Sequence, residues 1–257
     1  MNYSERIVCF LDILGFADHI RGTIYPNGSD NVDRISEIVE ALALAREILD
    51  IDHQPVFSPK RVTQFSDSIV ISFPVDKQSG LFHALAQILW LQMNFLNKGM
   101  LCRGAIASGR LMHDADVLFG PAMVDAYTLE SKAANYPRVI LDQRIIDQGV
   151  AAHSDHHDAE DEQEGIMSFL TKDGDGMFYV DYIGKAIGEF DHPEEYPVYL
   201  SKLREIIFNG IKSKDPSIRV KYSWLREKFN GCLTQIRTNI ANGNDGLQQA
   251  YMAIETV

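Results

Sequence analysis

Two short segments hold the residues whose types and spacing point to chemistry: Phe10-Leu11-Asp12-Ile13-Leu14-Gly15-Phe16 and Gln64-Phe65-Ser66-Asp67-Ser68-Ile69-Val70-Ile71. Each sets a lone carboxylate at the edge of an otherwise apolar run. Residues 7–11 (Ile, Val, Cys, Phe, Leu) are short, apolar and partly β-branched, the composition of a buried strand. A charge there is unfavourable unless it is paired or holds a cation. Two aspartates at the ends of neighbouring strands suit a hard divalent ion. Mg²⁺ takes one or two protein carboxylates and completes its shell with water and substrate phosphate. Gly15 lets the chain turn tightly after Asp12, which leaves backbone N–H groups to meet an anion. Taken singly, each aspartate reads as a turn former. Together, and with Gly15 between them, they read as the ligands of a two-metal nucleotide enzyme.

The elements that must position these residues follow from periodicity. Apolar residues at helical spacing predict a helix over 31–50, and Pro55 and Pro59 then break the chain. Residues 61–65 and 68–73 predict a hairpin with Asp67 at its junction. A strongly apolar helix is expected over 81–97 and a strand over 101–108, ended by Gly109. A helix opened by Gly120-Pro121 is expected to reach about 134, then a strand at 138–141 and a helix at 142–148. The order predicts an α+β fold, an α/β sandwich on a mostly antiparallel sheet, over residues 1–150. Residues 151–257 read as a C-terminal extension: a strand-like stretch at 178–183 and two helices over 194–242, split at Asp215-Pro216. The block 153–164 is expected to be a solvated loop in spite of His153, His156 and His157. Lys172-Asp173-Gly174-Asp175-Gly176 reads as a turn, since a full calcium-loop spacing is missing.

The 257 residues carry a formal net charge of −12 and are 46% apolar. This balance excludes the basic footprint of nucleic-acid or anionic-membrane binding, though not a small phosphate ligand. Cys9, Cys102 and Cys232 stand at no metal spacing and read as reduced core thiols, so a cytoplasmic location is expected. The N-terminus does not read as a signal peptide, and no apolar run reaches membrane-spanning length. Ser108 and His113 form no triad with any aspartate, and Trp90, Met93 and Phe95 read as core.

Over residues 5–145 the chain resembles the class III nucleotide cyclase homology domain, the adenylate/guanylate cyclase fold. The Asp-x-x-Gly-Phe of the first strand is Asp12, Gly15 and Phe16. The hairpin aspartate is Asp67, the Arg-x-Gly-Ile-x-x-Gly strand is Arg103-Gly104-Ala105-Ile106-Ala107-Ser108-Gly109, and the Gly-opened helix runs from Gly120 through Ala126. The resemblance implies a head-to-tail homodimer with active sites between the chains. It implies that Asp12, Asp67 and the backbone carbonyl of Ile13 hold two divalent ions, Mg²⁺ or Mn²⁺. Backbone N–H groups of Gly15 and Phe16 would meet the triphosphate. Arg103 would contact phosphate from the same chain and Arg138 from the partner chain.

The departures bear on specificity. Thr63 stands where the family has a purine-reading lysine, and Ser66 where it has glycine. Val117 takes the second purine-reading position. Val124 and Thr128 replace the asparagine and arginine of the helix, with Tyr127 near them as a hydrogen-bond donor. This pattern is similar to the pyrimidine nucleotide cyclases of bacterial Pycsar antiphage systems, which make cyclic UMP or cyclic CMP for a separate cyclic-nucleotide-binding effector. The resemblance implies UTP, or else CTP, as substrate; strand position alone makes Phe57, Thr63 and Phe65 the candidates to face the base. A purine cyclase and a degenerate domain that senses nucleotides are the alternatives.

Overall fold

The computed structural model describes residues 2–51, 59–241 and 248–257. Phe57 lies outside these residues. The chain divides into two compact units, Met1–Val180 and Asp181–Val257.

The first unit is built on β1 (Ser4–Leu14), a strand whose residues from Arg6 to Leu11 are all buried. Both of its faces are covered, which is why its sequence runs apolar without alternation. It pairs antiparallel with β3 (Ser68–Pro74) on one side and β4 (Leu101–His113) on the other. β2 (Arg61–Phe65) folds back on β3 as a hairpin, with Phe65 opposite Ser68. β6 (Val139–Leu141) lies parallel to β4, and β7 (Leu170–Lys172) and β8 (Phe178–Val180) continue the sheet antiparallel. The order is β2-β3-β1-β4-β6-β8-β7, with β5 (Leu118–Phe119) paired to the end of β4. The unit is thus α+β on a mostly antiparallel sheet.

Helices α1 (Phe16–Arg21), α2 (Val32–Ile48), α3 (Gly80–Asn97), α4 (Pro121–Ala133), α5 (Gln143–Ala151) and α6 (Ala159–Ser168) fill the connections. One sheet face carries Val8 and Phe10 of β1, Val70 of β3 and Ala107 of β4, and these pack with Ala122 and Ala126 of α4 into a buried cluster. Helix and sheet meet in ordinary contact there: a Cβ built on Gly109 would stand 3.6 Å from Cβ of Ala122. At Gly120, where φ is +148°, a Cβ would come within 2.6 Å of the Arg110 carbonyl oxygen. Glycine there seats the start of α4 against β4.

The two units divide at 180/181 rather than at the expected boundary of 150, because β7 and β8 join the sheet through β6. β4 does not end at Gly109 but continues to His113, with Gly109 opposite Arg6. The acidic block 153–164 is not all loop. Asp158 accepts hydrogen bonds from the N–H groups of Glu160 and Asp161 and caps α6, whose buried side carries Glu162 and Ile166. Acidic residues favour a helix N-terminus, so a composition that reads as solvated still folds. His157 pairs there with Glu162, which also accepts from Ser79 Oγ at 2.8 Å. Lys172-Asp173-Gly174-Asp175-Gly176 is the β7–β8 turn, as expected, with Gly176 at φ 88°.

The second unit holds α7 (Glu195–Gly210), α8 (Pro216–Ala241) and α9 (Gln248–Ala253). Tyr196 and Tyr199 are buried in it and donate their hydroxyls to the carbonyls of Ile183 and Tyr182, each at 2.6 Å. Cys9 and Cys102 are buried in the first unit, and burial pushes each thiol up to about 12, as inert core cysteines require. Among the described residues no helix is long and apolar enough to cross a membrane.

Candidate active site

The carboxylates expected to act together are brought together. Asp12 stands near the end of β1, opposite Ser68 of β3 and Arg103 of β4. Asp67 occupies the two-residue turn between β2 and β3, after Ser66 at the left-handed φ of 54°. The Ile13 N–H donates to the Asp67 carbonyl at 3.2 Å and ties the turn to β1. Burial raises the pKa of Asp12 first, and the Asp67 charge raises it further; the Arg103 guanidinium offsets part of this. A half-buried pair of like charges is unfavourable by itself and is relieved by a cation. Among the described residues no group of three or more His, Cys, Asp or Glu is arranged to hold a metal. Two hard carboxylate donors nevertheless suit Mg²⁺ or Mn²⁺, which complete their shells from water and phosphate.

Arg103 is positioned by a residue that sequence reasoning missed. Its Nε lies 2.6 Å from Oε1 of Glu130 and 3.7 Å from Oδ2 of Asp12. Glu130 is 2% exposed. It follows Ala122 and Ala126 at intervals of four, so it shares their buried face of α4. A carboxylate on an otherwise small-residue helix face was the available signal, since a buried charge requires a partner.

Gly15 takes φ 73° at the N-cap of α1 and turns the chain after Asp12, and Phe16 is buried just beyond it. Arg138 is not at an open surface. It is 1% exposed, and its guanidinium is held by Asp173 and Asp175 of its own chain. The expectation that it reaches phosphate from a partner therefore does not describe this arrangement: β6 and the β7–β8 turn enclose it. Tyr127 lies edge-on to Phe10, with ring centroids 5.6 Å apart. Val124, in place of the family's asparagine, is exposed.

Thr63 lies opposite Val70, and so on the sheet face of Phe10 and Asp12. Its hydroxyl is 2.9 Å from Nε2 of His113. Nδ1 of the same ring is 2.8 Å from Ser72 Oγ. Phe65, two residues along the strand from Thr63, is 80% exposed.

No protein-family model matches the chain, and no curated protein matches it. Among solved structures it is similar to the guanylyl cyclase Cya2, at 16% identity over 58% of this chain and 81% of that one, with a TM-score of 0.40. It is also similar to a bacterial light-regulated adenylyl cyclase, at 17% identity over 57% of this chain and 45% of that one, with a TM-score of 0.34. A class III adenylyl cyclase-like ATP-binding protein from Pseudomonas aeruginosa shares 12% identity over 64% of this chain and 40% of that one, with a TM-score of 0.41. Likenesses of this degree carry no argument about function, which rests on the residues themselves. What stands on those residues is a mostly antiparallel sheet that sets a strained carboxylate pair beside an arginine held by a buried glutamate.

Proposed function

We propose that the first unit is a nucleotide cyclase of the class III kind, acting on a pyrimidine nucleoside triphosphate, UTP or CTP. The observation that carries this reading is the meeting of Asp12 and Asp67 at the end of β1 and the β2–β3 turn, with Arg103 beside them. In the reaction the ribose 3′-oxygen attacks the α-phosphorus. The bond from phosphorus to the departing pyrophosphate oxygen breaks, and the 3′-hydroxyl proton is released. Divalent ions held by Asp12, Asp67 and the Ile13 carbonyl would supply Lewis-acid stabilisation of the phosphates and a lowered pKa for the 3′-hydroxyl. The chain itself contributes positioning and charge. Backbone N–H groups of Gly15 and Phe16 would meet the phosphates. Arg103, oriented by Glu130, would face the charge that develops on them. Thr63 and Phe65 would lie toward the base. Function as a homodimer, with the product read by a separate effector in antiphage defence, belongs to the same proposal.

A second reading has its own support. Arg103 is engaged by Glu130 and Asp12, and Val124 and Thr128 stand where the family has its asparagine and arginine. Both features suit a domain that binds nucleotide without turning it over.

The test is incubation of the protein with equimolar ATP, GTP, CTP and UTP plus Mn²⁺, with products identified by mass spectrometry. Cyclic UMP or cyclic CMP is expected, and Asp67→Asn should abolish it. Mn²⁺ should also raise the melting temperature of the wild type but not that of Asp67→Asn. Purine products alone overturn the pyrimidine reading. Nucleotide binding without any product favours the sensor.

A further inference from the structure

A chain of hydrogen bonds runs from the sheet interior to the edge strand. Arg6 donates from Nε to Ser72 Oγ at 2.9 Å, and Ser72, His113 and Thr63 follow in turn. Arg6, Ser72 and His113 are 8%, 0% and 7% exposed. Thr63 is the half-buried end of the chain.

The protons in this chain have one consistent arrangement. Arginine only donates, so Ser72 Oγ accepts from Arg6. The Ser72 hydroxyl proton is buried, and among the described residues the acceptor within its reach is His113 Nδ1. Nδ1 therefore carries no proton. A neutral imidazole then carries its proton on Nε2 and donates it to Thr63 Oγ1. Burial and the charges of Arg6 and Arg61 keep the ring neutral, pushing His113 down to about 4. Thr63 Oγ1 is thus an acceptor inward, and its own proton is directed outward. An isolated threonine hydroxyl rotates to suit any partner; this one presents a donor.

The donor stands on the face that carries the carboxylates. Thr63, Val70 and Phe10 form one row across the sheet, and Phe65, Ser68 and Asp12 the next. Two strand spacings and one two-residue step put Thr63 roughly 12 Å from Asp12 between Cα atoms, a span that a nucleotide bridges from phosphate to base. We infer that His113 is a positioning residue that locks the Thr63 hydroxyl as a donor and that, within the cyclase reading, this selects uracil over cytosine. The two bases share the 2-carbonyl and differ at N3 and at the 4-position; a donor facing N3 would favour cytosine, so the inference sets the Thr63 hydroxyl against the 4-position. Uracil offers an acceptor there and cytosine an amino donor.

The probes are 3′-deoxy-UTP and 3′-deoxy-CTP, which lack the attacking oxygen, titrated into the full chain by calorimetry with Mg²⁺. A donor facing a donor should weaken the cytosine compound about tenfold or more. The isosteric Thr63→Val, at a half-buried edge position, should bring the ratio within about twofold, and Thr63→Ser should restore it. Nitrogen NMR of His113 in the nucleotide-free protein should show the Nε2-protonated tautomer. An unchanged ratio in Thr63→Val, a cytosine preference in the wild type, or an Nδ1-protonated ring overturns this inference and leaves the cyclase reading standing. If neither compound binds the wild type, the cyclase reading falls and this inference with it.

Discussion

Asp12 is held above the ordinary carboxylate range because burial and the Asp67 charge both penalise its ionised form. A protein keeps such a pair where a function uses it, since either carboxamide would relieve the repulsion. His113 is perturbed in the opposite sense, from 6.5 down to about 4, by burial and by the charges of Arg6 and Arg61. Its effect on stability has a definite sign. Between these values the unfolded chain takes up a proton that the folded ring refuses, so stability falls as pH falls through the window. His113→Gln lacks this proton, and its deficit against the wild type should shrink by about 3 kcal/mol across the window. Urea midpoints on either side of it measure this, and parallel pH profiles would show that the ring is not held neutral. Asp12, Asp67, Gly15 and Arg103 were legible because their types recur in a known order. Glu130 and the partners of His113 were not, because the pairs Arg103–Glu130, Thr63–His113 and Ser72–His113 join residues far apart in the chain.

At the scale of elements, the site depends on how closely β1 and β4 approach. A Cβ on Gly104 would stand 2.5 Å from the Phe10 carbonyl oxygen and 2.6 Å from Leu11 Cδ2. Gly104→Ala must part the strands beside the Asp12–Arg103 row, at about 1–3 kcal/mol. The urea midpoint should fall accordingly and turnover with it; an unchanged midpoint would mean that the strands can separate freely here. Periodicity located α3, α4 and the β2–β3 hairpin closely, since each has a distinct apolar face or a turn between β-formers. It stopped β4 at Gly109 because glycine punctuates a sequence, whereas here glycine serves the strand itself, at φ 151°, and the pairing with β1 runs on past it. It passed over α6 because a residue buried there, Glu162, is polar and is satisfied by Ser79 and His157 rather than by apolar packing.

At the scale of the whole molecule, Val124 is 62% and Tyr127 54% exposed on α4, and Phe65 is 80% exposed at the hairpin end. Exposed apolar residues of this size suit the contact surface of the proposed homodimer. Val124→Glu, at a position with little to lose in the fold, should shift the protein from dimer to monomer in sedimentation and abolish cyclic-nucleotide formation. A monomeric, fully active wild type would remove the dimer from the proposal. The sequence by itself determined the buried strands, the helices with a clear apolar face, and the carboxylates at the strand ends. These depend on local chemistry: side-chain shape, turn residues, and the unfavourable burial of a lone charge. Only the tertiary structure decided that Arg138 is enclosed by Asp173 and Asp175, that Glu130 holds Arg103, and that Thr63 ends a chain of donors and acceptors beginning at Arg6. Those outcomes depend on register and on which face each residue turns toward, and a one-residue slip between strands would change every one of them.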